Sequence, residues 1–419
     1  MLSERTLAFA LLFNTGPGLY PMAVLVRAVW DVRSGLEAAA LPAAPADNAV
    51  RNVLVDMLAA TGLRKSDVAR SPVHKKLQLF RAWSGGYPVW CSWQVNYRCN
   101  FWCNFCHYWR DPMGDAPEMT LEQFQNGAEK LSELGTLLVS LAGGEPLIRP
   151  DIVDIVRAVG RYHFTFLTTN GWFVTKELAE ELFGAGLWGV SISLDYADPE
   201  RHDRKRGRPG AFERALAAVE RFGRARRYKW QRVNWLSVLL EDNLDQLEPM
   251  IEMAARRGAY FMVQPYCAQK TGSKRFVHKG ASVSEYLLHL RRQHPNFLSN
   301  PYFLERFDQA LNGGVRGCKA GRGFFNIDST GDIAVCVEKR ACPVANLFEH
   351  SAREIVGRLH AEGTPSRCTA CWYNCRGEIE SLYHPWGLIK SLPTYLFDRG
   401  RAPSGSRVGT AQAEACGSW

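Results

Sequence analysis

Residues 99–106 read CNFWCNFC, which spaces Cys99, Cys103 and Cys106 as C-x3-C-x2-C. Thiolates this close in sequence suit one metal centre and are poor disulfide geometry. No fourth cysteine lies nearby, and the side chain of His107 adjoins Cys106 at a spacing that generally points elsewhere. Two chemistries fit. One is a zinc site closed by a distant His or Cys. The other is an iron–sulfur cluster whose fourth iron is left open for another ligand.

Ten of the twelve cysteines fall into two groups, Cys91 to Cys106 and Cys318 to Cys375, with Cys267 and Cys416 apart. That grouping favours a reducing, metal-bearing protein over a disulfide scaffold. The chain has 419 residues and 46% hydrophobic composition, enough for one large core and a smaller module. The net charge is +9, yet no basic block is interleaved with aromatics, so no nucleic-acid partner is indicated. The densest basic run, RHDRKRGR from Arg201 to Arg208, reads as a solvated loop, with an anion-binding loop as the other reading.

The elements that must position the thiols are legible from periodicity. Segments 89–95, 136–142, 164–170, 188–195, 232–240 and 260–266 read as short buried strands, and helical patterns separate them. Apolar strands without alternation imply a parallel sheet covered on both faces. Thr120-x-x-Gln123 is a capping-box signature for the helix that follows the cysteines. Six β/α units without a dinucleotide glycine fingerprint predict an α/β fold, a partial (β/α)6 TIM-like barrel. Just past these strands lie the three cysteines, GGEP (Gly143 to Pro146), TTNG (Thr168 to Gly171) and SISLD (Ser191 to Asp195). The chemistry thus gathers at the carboxyl end of one sheet.

The boundaries expected are a helical N-terminal extension over 1–86, the barrel over 87–305, a Gly- and Cys-rich module over 306–380 and a tail over 381–419. Thr6 to Val26 carries no charge over 21 residues, but NTGPG and Pro21 interrupt it. Helices packed on the protein, an interfacial anchor and a membrane span are the three readings. A cytoplasmic protein, membrane-associated through this segment or not, is the expected localisation.

The cysteine spacing, the aromatic Phe105 before its last member, and GGEP some forty residues on together resemble the radical S-adenosylmethionine (radical SAM) enzymes. The resemblance spans roughly residues 88–300. It implies that Cys99, Cys103 and Cys106 hold a [4Fe–4S] cluster whose open iron takes S-adenosylmethionine (SAM). Reductive cleavage then gives a 5′-deoxyadenosyl radical that abstracts hydrogen from a substrate. It also implies that Gly143, Gly144 and Glu145 approach the methionine end of SAM and that Phe105 packs near its adenine. Ser193 and Asp195 would contact ribose or carboxylate, with Thr169, Asn170 and Asn243 as lesser candidates. For Ser193 and Asp195, strand-end capping is the competing reading.

Cys318, followed by Gly331-x4-Cys336, and then Cys368-x2-Cys371-x3-Cys375, resembles the auxiliary-cluster module called SPASM or twitch. The late group departs from the full C-x2-C-x5-C-x3-C pattern. Six cysteines here cannot fill two four-cysteine sites, so one auxiliary [4Fe–4S] cluster is expected. Cys318 and Cys336 are its surest ligands, completed from Cys368, Cys371 and Cys375, with Cys371 favoured and Cys342 less secure. A second cluster with an open iron and a zinc ribbon are the alternatives.

The expected function is hydrogen abstraction from a peptide or natural-product precursor. The alternatives are a lipid or isoprenoid-like substrate at a membrane surface, and a non-enzymatic iron–sulfur electron carrier or redox sensor. The partners implied are a small-molecule, lipid or peptide substrate and an external electron donor such as flavodoxin or ferredoxin.

Overall fold

The structure, a computed structural model, describes residues 72–362 and 367–396. The expectations for Thr6 to Val26 and for Cys416 lie outside the described residues.

Helix α1 (Pro72–Ser84) precedes β1 (Trp90–Asn96). Then α2 (Leu121–Ser132) leads to β2 (Leu138–Gly143), α3 (Ile152–Gly160) to β3 (Phe164–Thr169), and α4 (Lys176–Gly184) to β4 (Leu187–Ser193). Two helices, α5 (Pro199–Arg206) and α6 (Ala211–Ala225), separate β4 from β5 (Arg232–Leu239). Finally α7 (Leu247–Arg256) leads to β6 (Tyr260–Pro265). The six strands lie side by side in chain order, every pair parallel. Sequential parallel strands with helical crossovers are the winding of an open, partial TIM-like barrel.

Sequence dictates the layers. On β1, Cys91, Trp93 and Val95 are fully buried, and Trp93 meets Phe124 of α2 with ring centroids 5.1 Å apart. The alternate residues form a polar layer instead: Gln94 donates to Ser92 Oγ and to Asn326 Oδ1, both at 2.9 Å. Only the helix-facing side of this strand is apolar, so the uniform apolar reading held for one face. The Thr120–Gln123 capping box is formed in both directions and starts α2 just after the cysteine loop. Replacing Thr120 by Ala would cost about 1 kcal/mol.

The chain continues through α8 (Val283–Gln293), α9 (Pro301–Leu304) and α10 (Phe307–Asn312) into the cysteine-rich part. There β7 (Phe324–Ile327), β8 (Asp332–Ala334) and β9 (Ala345–Asn346) are followed by α11 (Ala352–Ala361), α12 (Asn374–Glu380) and α13 (Pro385–Leu396). β7 pairs parallel to β1, in register from Trp90↔Phe324 to Trp93↔Ile327, and β8 and β9 add antiparallel. The sheet therefore has nine strands, where sequence periodicity shows six. Four residues, FFNI, are too few to register as a period. The run Arg201 to Arg208, read as a solvated loop, is mostly helix α5, with His202 and Arg206 buried. Among the described residues no helix is long and apolar enough to cross a membrane.

Candidate active site

A cavity of about 220 Å³ opens at the carboxyl ends of the strands. Cys99, Cys103 and Cys106 line it from the loop after β1, facing Gly143, Gly144 and Glu145 after β2. Phe105, Thr169, Asn170 and Ser193 also line it. The loop alternates inward and outward: Phe101, Cys103 and Phe105 are buried, whereas Trp102 is 54% exposed. Burial pushes the Cys99 and Cys103 thiols up to about 12. A metal centre reverses that preference by stabilising thiolate.

The glycine pair has a reason of its own. Gly143 sits at φ +141°, a conformation that favours glycine, and a Cβ on it would collide with the Asn96 carbonyl. A Cβ on Gly144 would collide with the Arg98 carbonyl. Both glycines let the end of β2 lie directly on the exit of β1, where Glu145 N–H donates to Arg98 O at 2.8 Å.

Glu145 fastens the next strand. Its carboxylate accepts from Leu147 N at 3.0 Å, Thr169 Oγ1 at 2.7 Å and Asn170 N at 2.7 Å. Burial raises its pKa to about 7 against the pull of these donors. Asn170 Nδ2 in turn donates to Asn100 Oδ1 at 2.8 Å, tying the β3 exit back to the cysteine loop.

The two residues expected after β4 part company. Ser193 lines the cavity, while Asp195 is fully buried behind it. The Asp195 carboxylate accepts from Arg206 Nε at 2.8 Å, from a second Arg206 nitrogen at 2.6 Å and from Val238 N at 2.9 Å. Asn243 is likewise outside the cavity lining, its amide bonded to the carbonyls of Asp195 and Val238. Arg206 is the residue that the sequence reading missed. It lines the cavity, lies 5.2 Å from the Phe105 ring centroid, and interacts with the Cys103 and Cys106 thiols. Burial works against its charge, but Asp195 and the thiols more than compensate. In α5 Arg206 is buried together with His202, four residues earlier on the same face, a stripe that the charged run PERHDRKR does not mark by residue type.

Beyond the cavity wall, the late cysteines come together. Cys375 interacts with Cys336 and Cys318, and Cys368 acts on both Cys318 and Cys336. Cys371 interacts first with Cys267, then with Cys375 and Cys318. Cys342 is exposed. Cys267, set apart in sequence, lies two residues past β6, lines the first cavity and accepts from Trp372 N at 3.4 Å. One buried pair organises this group: Arg376 Nε lies 3.0 Å from Glu380 Oε1. Arg376 also donates to Cys371 O at 2.7 Å and Val315 O at 2.6 Å, while Glu380 accepts from Lys319 N at 2.9 Å. The segments carrying Cys318 and Cys371 are thereby clamped to α12. Between the two thiol groups stand Tyr108, Lys270 and Tyr373. Lys270 Nζ lies 4.6 Å from the Tyr108 ring centroid and 3.6 Å from Glu338, to which Tyr373 Oη donates at 2.7 Å.

Residues 93–254 match the profile of the family described as the radical SAM superfamily. That stretch of the chain is a radical SAM domain. The chain is 28% identical to the AdoMet-dependent heme synthase of Methanosarcina barkeri, over 75% of its own length and 98% of the relative's. It is 27% identical to the mycofactocin maturase MftC of Mycolicibacterium smegmatis, over 69% and 77%. Among solved structures it resembles Streptococcus suis SuiB bound to the precursor peptide SuiA, with a TM-score of 0.52, 18% identity and 67% of each chain covered. It also resembles anSMEcpe with bound AdoMet, with a TM-score of 0.52, 17% identity and coverage of 74% and 98%. These likenesses to solved structures speak for the fold. Radical SAM proteins are enzymes that use a [4Fe–4S] cluster and SAM, and Cys99, Cys103 and Cys106 line one cavity with Gly143, Gly144 and Glu145. Three thiols, one buried guanidinium and a cradle that tolerates no Cβ share one cavity.

Proposed function

We propose that this enzyme holds its cluster by Cys99, Cys103 and Cys106, takes SAM against Gly143, Gly144, Glu145 and Ser193, and acts on a peptide or similarly polar precursor. The convergence of the three thiols with the β2, β3 and β4 exits on one cavity carries this reading. When bound and reduced, the cluster and SAM supply hydrogen-atom abstraction from the substrate. The chain's own part is placement. Glu145 fixes the β2 and β3 exits relative to each other, and Arg206 offsets the negative charge of thiolates and of a substrate or cofactor carboxylate. Phe101, Phe105 and Tyr266 narrow the cavity and limit water. The chemistry belongs to the cofactor and its orientation to the protein.

We assign one auxiliary [4Fe–4S] cluster to the second thiol group. Cys368 and Cys375 each interact with others of the group across Cys318 and Cys336, which supports Cys318, Cys336, Cys368 and Cys375 as the four ligands. Cys371, favoured from spacing, interacts most with Cys267 and then with Cys375 and Cys318, but not with Cys336. The sequence boundaries stand as a proposal with one adjustment: α1 belongs with the barrel, because Lys75 Nζ donates to the carbonyls of Gly160 and His163.

The peptide reading is supported by the polar cavity lining of Glu145, Thr168, Asn170, Ser193, Gln264 and Lys270, and by the relative named as a mycofactocin maturase. A second reading, a porphyrin-like small molecule, rests on the alignment with nearly the whole of a heme synthase. A lipid-like substrate draws on the apolar N-terminal segment, outside the described residues, and on the aromatic tail from Leu388, which begins in α13. The test is anaerobic incubation of reconstituted enzyme with SAM and dithionite, measuring 5′-deoxyadenosine with a candidate precursor peptide or a porphyrin added. Stimulation by the peptide alone supports the proposal, stimulation by the porphyrin alone supports the second reading, and no 5′-deoxyadenosine at all sinks both.

A further inference from the structure

The outer side of the cysteine loop carries features that the cavity does not use. Trp102, between Phe101 and Cys103, is 54% exposed. The loop rests on the C-terminal end of α5: Asn104 N–H donates to Lys205 O at 3.2 Å. Gly207 closes that helix at φ +65°, and a Cβ there would come within 2.6 Å of Trp102 O. Immediately beyond, the Arg208 guanidinium lies 5.7 Å from the Trp102 ring centroid and 4.4 Å from that of Trp172. Arg214 stands 5.3 Å from Trp172. Trp172 follows the β3 exit and packs edge-on against Phe101, with centroids 5.7 Å apart.

Charge here is one-sided. From 204 to 214 the chain carries Arg204, Lys205, Arg206, Arg208 and Arg214 against a single carboxylate, Glu213. Lys205 is spent on Glu241 and Asp242, and Arg206 on Asp195. Arg208 and Arg214 pair with no carboxylate among the described residues; they lie over indole faces instead. Stacking holds a guanidinium in a fixed place while leaving its charge for a partner. Exposed tryptophan and arginine side by side are the residue types enriched where proteins dock.

We propose that the Trp102–Trp172–Arg208–Arg214 face is the docking site for an acidic one-electron donor protein of the flavodoxin or ferredoxin class. This rests on the proposed function, which requires an electron from outside. The location selects the partner. Trp102 is the residue before Cys103, so a redox centre seated on its indole is separated from the cluster position by one peptide link and the thickness of the loop. A carboxylate-ringed donor matches the unpaired arginines, and the indoles provide the apolar centre of the contact. The step is a single electron passing from the reduced donor to the oxidised cluster, with no atom transferred.

The test compares two reductants on the full chain with reconstituted clusters. Variants Arg208→Glu/Arg214→Glu and Trp102→Ala are driven either by reduced flavodoxin or by dithionite, reading 5′-deoxyadenosine from SAM. The flavodoxin-driven rate should fall about tenfold or more, and its decrease with added salt should flatten, since steering by charge is screened over about 8–10 Å. The dithionite-driven rate should stay within about twofold of the parent. Equal losses with both reductants would mean a structural role and overturn the proposal, as would an unchanged flavodoxin rate. Binding of oxidised flavodoxin by calorimetry gives a readout independent of turnover. If the parent makes no 5′-deoxyadenosine even with dithionite, the proposed function fails, and loss of flavodoxin binding in the charge-reversed variant still decides the docking face. Poly-glutamate binding as tightly as flavodoxin would reduce the face to a general polyanion site and overturn the assignment.

Discussion

The Glu145 carboxylate accepts a hydrogen bond from the Thr169 hydroxyl at 2.7 Å, joining the exits of β2 and β3 inside the cavity wall. Replacing Glu145 by Ala strands the Thr169 hydroxyl and the Asn170 and Leu147 N–H groups, each buried donor costing about 1–3 kcal/mol. Urea unfolding of Glu145→Ala should show a clear loss of stability, and equilibrium dialysis a loss of SAM binding. Full SAM binding by the variant would contradict the assigned cradle.

The same carboxyl makes stability depend on pH in an unusual direction. Burial raises Glu145 to about 7, and burial raises Glu378, which accepts from Asn300, to about 7 as well. In the unfolded chain both titrate near the ordinary glutamate value, so between about pH 4.5 and 7 the folded chain binds more protons. Stability of the metal-free protein should therefore fall as pH rises through that window, by at most about 3 kcal/mol per group. Thermal melts of Glu378→Gln across the window should show a shallower fall than the parent. An identical slope would show that Glu378 is not a source of it.

Alanine at Gly143 or Gly144 places a methyl against a backbone carbonyl that cannot rotate away. The β1 and β2 exits must separate, and strain and overpacking of this kind cost about 1–3 kcal/mol. Iron content after reconstitution should drop with it, because the displaced β1 exit carries the cysteine loop. Normal iron content in Gly144→Ala would argue against that coupling.

Arg376 and Glu380 are buried, and loss of one partner of a buried pair costs about 3–5 kcal/mol. Arg376→Ala should release the segments bearing Cys318 and Cys371, lowering both the melting temperature and the iron retained by a Cys99/Cys103/Cys106→Ala background. Retention of the parent's iron in that background would remove Arg376 from any part in assembling the second site.

Ligand counting separates the auxiliary thiols. In the same triple-alanine background, Cys368→Ser should lose the remaining cluster absorbance, while Cys371→Ser should keep it. The reverse result would restore the ligand set favoured by sequence spacing.

Much of this was legible before any coordinates. The thiol triplet and GGEP stand next to strand signals, and Thr120–Gln123 marks its helix start by side-chain chemistry alone. What escaped has a physical cause in each case. Arg206 hides within a basic run because its burial depends on a partner, Asp195, that only the fold brings to it. The two glycines read as making room for a ligand, and their clash partners are the backbone carbonyls of Asn96, at the end of β1, and of Arg98 just past it, a relation no spacing reveals. Cys267 sits far from other cysteines in sequence and meets Cys371 only because β6 ends beside the second group.

The pairing of β7 on β1 has a bearing on how this protein can be cut. A barrel strand at the end of an open sheet presents a row of unpaired N–H and C=O groups, a template for intermolecular pairing. Here β7 occupies that row over Trp90 to Trp93, and the short hairpin strands β8 and β9 move the frontier outward. A truncation that removes the cysteine-rich part would strip the edge from a strand whose alternate residues include Cys91 and Trp93. The shortened chain should aggregate. The second module is thus also the molecule's guard against self-association.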